Sequence, residues 1–571
     1  MSQRPYPGLR AFWRDEIDIF FGRERQIDEI LEKLQHSHFL AVLGPSGCGK
    51  SSLVRTGVLS ALDSGFMCKA GAHWLVADMK PGSSPFLALA NALLNDELFA
   101  EHYQQWFPVD TQTGDDSWKD EAQYFLQASL QRGPQSLHEL LDDLALPEDS
   151  SILLLVDQFE EIFRYQRYAS NEAGEFVSLI LRACHHPNVY TSITMRSEFL
   201  GNCVAFQGLP EAINQGLYLT PSLDRDQLAD AITFPARVFD GDVTPELTNR
   251  LLNDAGQAMD QLPLLQHALM RLWEHDEDKT LTLDEYESTG GLQRMLNDHL
   301  EEAWSELDES QQVLAGQLYR LLTEKTPEGH SIRRPVTFEE ALSLPNATRK
   351  NMLEVIEIFR RSGRHFLMPP SSVELKDNTV IDITHESLIR QWRRLSNWVD
   401  GEAEHGLLYQ RLESTTLRYQ QGEAALLSSP ELEIALHWRD IEKPTANWSQ
   451  RYGENFDAVM GFLEESVKAK NAAEERKQEQ LRAKSRRTLL TTLLGFVIAV
   501  GAAVFGWMAA INNEKQVKIA EAQVEQSVVD VKKAQALVEE KSEQVVQAQA
   551  VVAETKQALN QESVIQQDLE R

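Results

Sequence analysis

Five short apolar runs, at 39–44, 73–79, 151–157, 189–196 and 217–220, alternate with stretches of helical periodicity. Runs of this length between polar turns predict strands. Their alternation with helices predicts an α/β domain over 36–221, a parallel five-stranded sheet covered by helices. Residues 1–35 read as a Pro- and Gly-containing arm and then a helix. Residues 100–120 are polar and Trp-containing and read as a surface insertion.

From about 222 to 465 the pattern is mostly helical. Pro235 is expected to end the helix that holds Ala231-Ile232-Thr233. Pro263 is expected to interrupt the helical run from Leu251 to Trp273. One short strand is expected at 379–383. The parts divide into a helical domain at 222–300, a further domain at 301–400 and a helical extension at 401–465. A basic juxtamembrane helix follows at 466–488.

Leu489 to Ile511 carries no charge and is about long enough to cross a bilayer. Arg476, Lys477, Arg482, Lys484, Arg486 and Arg487 precede it, and only Lys515 and Lys518 follow closely. The positive-inside rule then puts the N-terminal side in the cytoplasm. The same cations should attract anionic lipid headgroups. Beyond the span, at 512–571, Val517, Val524, Val531, Val538, Val545, Val552 and Leu559 recur every seven residues. This predicts a parallel coiled coil. The second seam is weaker, because Lys541 and Glu562 interrupt it. A single charged helix or a disordered stalk is the alternative.

Net charge changes the list of partners. The chain has 55 basic and 87 acidic residues, a balance of −32, which disfavours bulk nucleic-acid binding. Cys48, Cys68, Cys184 and Cys203 lack metal-ligand spacing and read as reduced thiols.

The chemistry starts at Gly44-Pro45-Ser46-Gly47-Cys48-Gly49-Lys50-Ser51, a complete G-x-x-x-x-G-K-[ST] loop between a predicted strand and the helix opened by Ser52. Glycines let backbone N–H groups wrap phosphate oxygens. Lys50 would reach the β- and γ-phosphates and the Ser51 hydroxyl would ligate Mg²⁺. The apolar strand 152–156 ends in Asp157, a second magnesium-side carboxylate. Glu160 or Glu161 would orient and deprotonate the attacking water, or else the two acids are a solvated helix start. Arg196 ends the next strand, where it would sense the γ-phosphate or make a surface salt bridge.

Taken together, these features resemble the STAND-class signalling NTPases, specifically the bacterial novel STAND NTPase type 1 family. The resemblance runs from about residue 5 to 440. It rests on Pro5-Tyr6-Pro7-Gly8-Leu9-Arg10 with Phe20-Phe21-Gly22-Arg23-Glu24, and on the phosphate loop with Asp157-Gln158-Phe159-Glu160-Glu161. It also rests on Thr194-Met195-Arg196, on Leu262-Pro263-Leu264-Leu265-Gln266-His267, and on His385-Glu386-Ser387-Leu388-Ile389-Arg390-Gln391-Trp392. The resemblance implies ATP/ADP as the nucleotide and a winged-helix domain at 301–400. It implies that Phe21, Gly22 and Arg23 line the adenine side, that Pro263 closes over the base, and that His385 reaches the β-phosphate of ADP. Gln261 replaces a glycine common at the proline motif of relatives. Read alone, His385 would be a satisfied core histidine. Many relatives carry β-propeller repeats, and none is read in this sequence.

The expected function is a membrane-anchored switch, closed with ADP and open with ATP, that hydrolyses ATP slowly and self-associates through core, membrane helix and coiled coil. The expected location is the bacterial inner membrane, single-pass, with a cytoplasmic core and the coiled coil outside. A separate sensor or effector protein is a further expected partner. The alternative is a structural envelope anchor that keeps ADP as a permanent cofactor. A transport ATPase fits poorly, because one span gives no substrate path.

Overall fold

The computed structural model describes residues 4–67, 70–71, 73–106, 117–144, 146–166, 170–256, 260–276, 278–325, 329, 331–511 and 521–537. The chain forms two compact units, Met1–Leu407 and Leu408–Arg571.

The first unit is built on a five-stranded, all-parallel sheet. Its strands are β1 (Phe39–Gly44), β2 (His73–Met79), β3 (Ser150–Val156), β4 (Val189–Arg196) and β5 (Leu217–Leu219). Their order is β2-β3-β4-β1-β5, and the register pairs Gly44 with Arg196 and Val156 with Ile193. β1 and β3 are buried along their whole length, which explains why each reads as a continuous apolar run rather than an alternation. Helices cover both faces. One core contains Leu154, Phe86, Phe176 and Ile180, and the other contains Leu153, Leu31, Val54 and Leu59.

Helices Arg225–Val238, Pro245–Ala255, Gln261–His275 and Gly291–Ser305 follow. Tyr6 of the N-terminal arm is fully buried among Ile232, Leu251 and Leu269, so the arm belongs to this core. Further along, Val380–Ile383 pairs antiparallel with both Val336–Thr337 and Leu367–Met368. Helices Glu309–Leu321 and Arg349–Arg360 pack with it around the buried Trp392.

Three expectations are corrected. The helix Arg225–Val238 runs through Pro235 instead of ending there. A helix-interior proline costs roughly 3 kcal/mol. Here the proline is buried with Ile232 and Ala236, and the Tyr6 hydroxyl donates to the Ile232 carbonyl at 2.5 Å, so tertiary packing holds the turn. Pro263 does not interrupt a helix either. It lies in the first turn of Gln261–His275, where its missing N–H costs nothing. Finally, Trp118 is not on the surface. It and Tyr103 pack into the sheet core, while Trp106 is exposed.

In the second unit, helices Glu431–Glu442 and Ala446–Ser449 and the start of Phe456–Ile511 pack around Tyr409, Leu412, Trp438 and Leu463. Within that last helix, Phe456–Val504 is long and apolar enough to cross a membrane, and its apolar window is unburied. Residues 521–537, with Val524 and Val531, are helical. The other heptad positions lie outside the described residues.

Leu154 sits fully buried in the middle of β3. Leu154→Ala should lower stability by about 2–5 kcal/mol. Urea denaturation followed by tryptophan fluorescence checks this.

Candidate functional site

The site forms where β1, β3 and β4 end. The glycines of the loop after β1 have left-handed backbones, at φ 75° for Gly47 and 90° for Gly49, which only glycine adopts without strain. Space matters as well. A Cβ on Gly47 would lie 2.9 Å from Asp260 Cα and 3.4 Å from Pro263 Cδ. Ser46, Gly47, Gly49, Lys50, Ser51 and Ser52 line the cavity above the sheet. Gly44, Pro45 and Cys48 support the loop from outside that lining, with Cys48 Sγ turned toward Gly44. Lys50 Nζ donates to the carbonyls of Gly44 at 2.9 Å and Pro45 at 2.8 Å.

Arg23 does not simply line an adenine side. Its guanidinium donates to the Cys48 carbonyl at 2.8 Å and to the Pro221 carbonyl at 2.8 Å. It is 3% exposed and lines the cavity beside Phe21, while tying the phosphate loop to the segment after β5. Gly22, at φ 84°, packs against the Gln227 carbonyl and is outside the cavity lining. Phe21 does line it and meets Phe234 edge to face.

Asp157 is 1% exposed. The Ser51 hydroxyl donates to its Oδ1 at 2.7 Å, and so does the Thr194 hydroxyl, at 2.5 Å. Arg55 NH1 lies 3.3 Å from Oδ2, which has no hydrogen-bond partner. Burial alone would raise this carboxyl. Arg55 and Lys80, with the Thr194 and Ser51 hydroxyls, outweigh it and hold the group at about 2. An ionised carboxylate with one oxygen that accepts no hydrogen bond among the described residues, beside a serine hydroxyl, is a hard oxygen donor set, and it fits Mg²⁺.

The two acids after Asp157 part ways. Glu160 lines the cavity, and its Oε2 accepts from the Arg196 backbone N–H at 3.4 Å. Glu161 turns away and accepts from the Gly82 N–H at 2.9 Å. Burial pushes Glu160 up to about 7, with Lys50 and Arg196 opposing and Glu161 adding.

Arg196 lines the same cavity, and its NH1 donates to Glu386 at 2.5 Å. It also bonds Glu198. Pro263 and His385 reach the cavity from 222–400, so the structure brings both proline and histidine segments to the phosphate loop. His385 Nδ1 accepts from the Ser387 N–H at 3.1 Å. Burial and the nearby Arg333, Arg390, Lys50 and Arg196 hold the ring neutral, well below its ordinary value. Its proton therefore sits on Nε2, leaving that N–H to donate.

Sequence reasoning gave no role to Thr194, Arg55, Arg333 or Glu386. Arg333 donates to Gln158 Oε1 at 3.0 Å and to Asp382 Oδ2 at 2.8 Å, joining the end of β3 to the strand 380–383. Thr194 and Glu386 stood inside quoted motifs, beside Arg196 and His385. Arg333 lies in a three-residue strand and carries no local signal.

The raised value of Glu160 has a consequence for pH. The folded chain keeps this proton up to about pH 7, whereas an ordinary glutamate releases it near 4.5. Stability from this group is therefore complete below that window and is lost as pH rises through it. Glu160→Gln should flatten the decline between these values, and melting temperature against pH checks it.

The family model Novel STAND NTPase 1 matches residues 5–425. Among solved structures, the chain is similar to a Walker-type ATPase of Pyrococcus abyssi at 15% identity, over 67% of this chain and 99% of that one, with TM-score 0.32. It is similar to the ORC2 protein of Aeropyrum pernix at 13% identity, over 71% and 98%, with TM-score 0.36. It is also similar to domain III of the replication initiation protein DnaA of Thermotoga maritima at 12% identity, over 48% and 92%, with TM-score 0.27. With a complete phosphate loop facing the Asp157 carboxylate, and a family model spanning most of its length, the chain belongs to the Novel STAND NTPase 1 family and is a nucleotide-binding P-loop NTPase.

Proposed function

We propose that this protein is a membrane-anchored switch that binds ADP in a closed form and ATP in an open one, with slow hydrolysis as the reset. One observation carries the reading. Lys50 and Asp157 share a single cavity with Pro263, His385 and Glu386. A ligand in that cavity touches the sheet, the proline helix and the histidine segment at once, so its phosphate number biases how they pack.

Each residue has a part in this scheme. Backbone N–H groups of the loop and Lys50 hold the phosphates. Ser51 and Asp157 would hold Mg²⁺, which would neutralise phosphate charge. Glu160, near neutrality in its titration, accepts a proton from water. Glu161, held by Gly82, adds to the burial that keeps Glu160 high. Arg196 steadies charge at the γ-position once Glu386 releases it. The Nε2–H of His385 donates to the β-phosphate, and Pro263 covers the base side. Phe21 lines that side, and Gly22 and Arg23 position it and the loop.

The strand Val380–Ile383 between two antiparallel partners, packed by helices, supports a winged-helix reading of 301–400. The apolar helix with six cations before its span supports anchoring with the core on the cytoplasmic side and contact with anionic lipid. Self-association through core, membrane helix and coiled coil, with a separate sensor or effector, completes the proposal.

Nucleotide content and assembly mass of the detergent-purified chain test it. Bound ADP, and a larger assembly under a non-hydrolysable ATP analogue, are expected. Tightly held ADP with unchanged mass would favour the structural anchor instead. Lys50→Ala should empty the site. Glu160→Gln should keep binding but reduce single-turnover hydrolysis by about 10²-fold or more. In the parent chain, that rate should rise with pH through about 7, as Glu160 ionises.

A further inference from the structure

Asp260 is a buried acid placed against a phosphate loop, where a negative charge is unexpected. It is 5% exposed, and its backbone is left-handed at φ 63°. A Cβ on Gly47 would meet its Cα at 2.9 Å and its Oδ1 at 3.2 Å. The carboxylate therefore borders the loop that receives the phosphates. Arg390, from the histidine segment, covers it with two hydrogen bonds, one from Nε to Oδ2 at 2.6 Å and one to Oδ1. Glu386 and Arg196 are the other charged groups acting on it. Burial outweighs the arginine and holds Asp260 above its ordinary value, so the pair is a costly one to keep.

We propose that Asp260 is a charge-gated release element for the bound nucleotide, silenced by Arg390 while the segment 385–392 is docked and unmasked when that segment leaves. With Arg390 in place, the charge behind the loop is a neutralised pair and leaves a nucleoside diphosphate undisturbed. Asp260 and Arg390 stand outside the cavity lining, with Asp260 against Gly47 of the loop, so with Arg390 withdrawn an uncompensated carboxylate acts on the polyphosphate across the loop and repels it. Leaving the closed form and releasing ADP are thereby one event. This rests on the nucleotide reading above.

The test is the release rate of a fluorescent ADP analogue from the full-length chain in detergent. Arg390→Ala should speed release by about tenfold or more. Asp260→Asn, which keeps the left-handed backbone accessible, should release at the parent rate or more slowly. The double variant should return to the parent rate. Arg390→Lys, which keeps the charge, should stay close to the parent and serves if the alanine variant does not fold. A purely structural clasp makes the opposite prediction, with Asp260→Asn and the double variant as fast as Arg390→Ala. That result would overturn the proposal, as would a parent-like rate for Arg390→Ala. If the lysine variant alone folds, release as fast from it as from an open site would overturn it too. A parent chain that binds no labelled ADP would instead overturn the nucleotide reading itself.

Discussion

A carboxylate buried to 1% exposure has to be compensated, and the compensation of Asp157 organises the phosphate side of this protein. β3, which ends next to Asp157, and β1, which feeds the phosphate loop, are not neighbours. β4 lies between them. Thr194 on β4 spans the gap by donating to the same oxygen that Ser51 reaches from the loop. Arg55, bonded to Asp78 at the end of β2, brings the opposing charge from the helix after the loop. Strand order, loop position and carboxylate ionisation are thus one constraint. A sheet in another order would leave the charge without its partners.

Around this centre the cavity is closed by pieces far apart in sequence, and the closure is largely ionic. Arg196 meets Glu386, Arg333 meets Asp382 and Gln158, Lys80 lies 3.7 Å from Asp382, and Arg390 meets Asp260. Such pairs are largely buried, so desolvation offsets much of their Coulomb attraction and they add little net stability. The apolar work is done elsewhere, by Tyr6 and Leu269 in one core and Trp392 in another. That division suits a device whose ionic contacts exchange while its cores stay intact. An anionic ligand entering the cavity competes directly for these cations.

The sheet was legible because its central strands β1, β3 and β4 are buried almost throughout and its turns are polar, so all five strands fall within a residue or so of the apolar runs. The phosphate loop and Asp157 were legible because their chemistry requires fixed spacing. The proline readings failed for a reason local rules cannot see. Pro235 is held in its helix by tertiary packing against the arm, and Pro263 opens a helix rather than breaking one. Glu160 and Glu161 looked equivalent in sequence, and only the Gly82 N–H and the cavity distinguish them. Arg23 lines the cavity as its place after Phe21-Gly22 suggested, and what the sequence did not show is that it also holds backbone carbonyls of residues 25 and 198 positions away. Long-range ion pairs such as Arg333 with Asp382 leave no periodic trace in sequence.

Amide hydrogen exchange over residues 385–392 tests the central claim most directly, measured on the full-length chain with ADP and then with a non-hydrolysable ATP analogue. Protection with ADP and faster exchange with the analogue is the result this account predicts, because in the proposed switch only the diphosphate form keeps the segment docked. Equal protection with both nucleotides would contradict it.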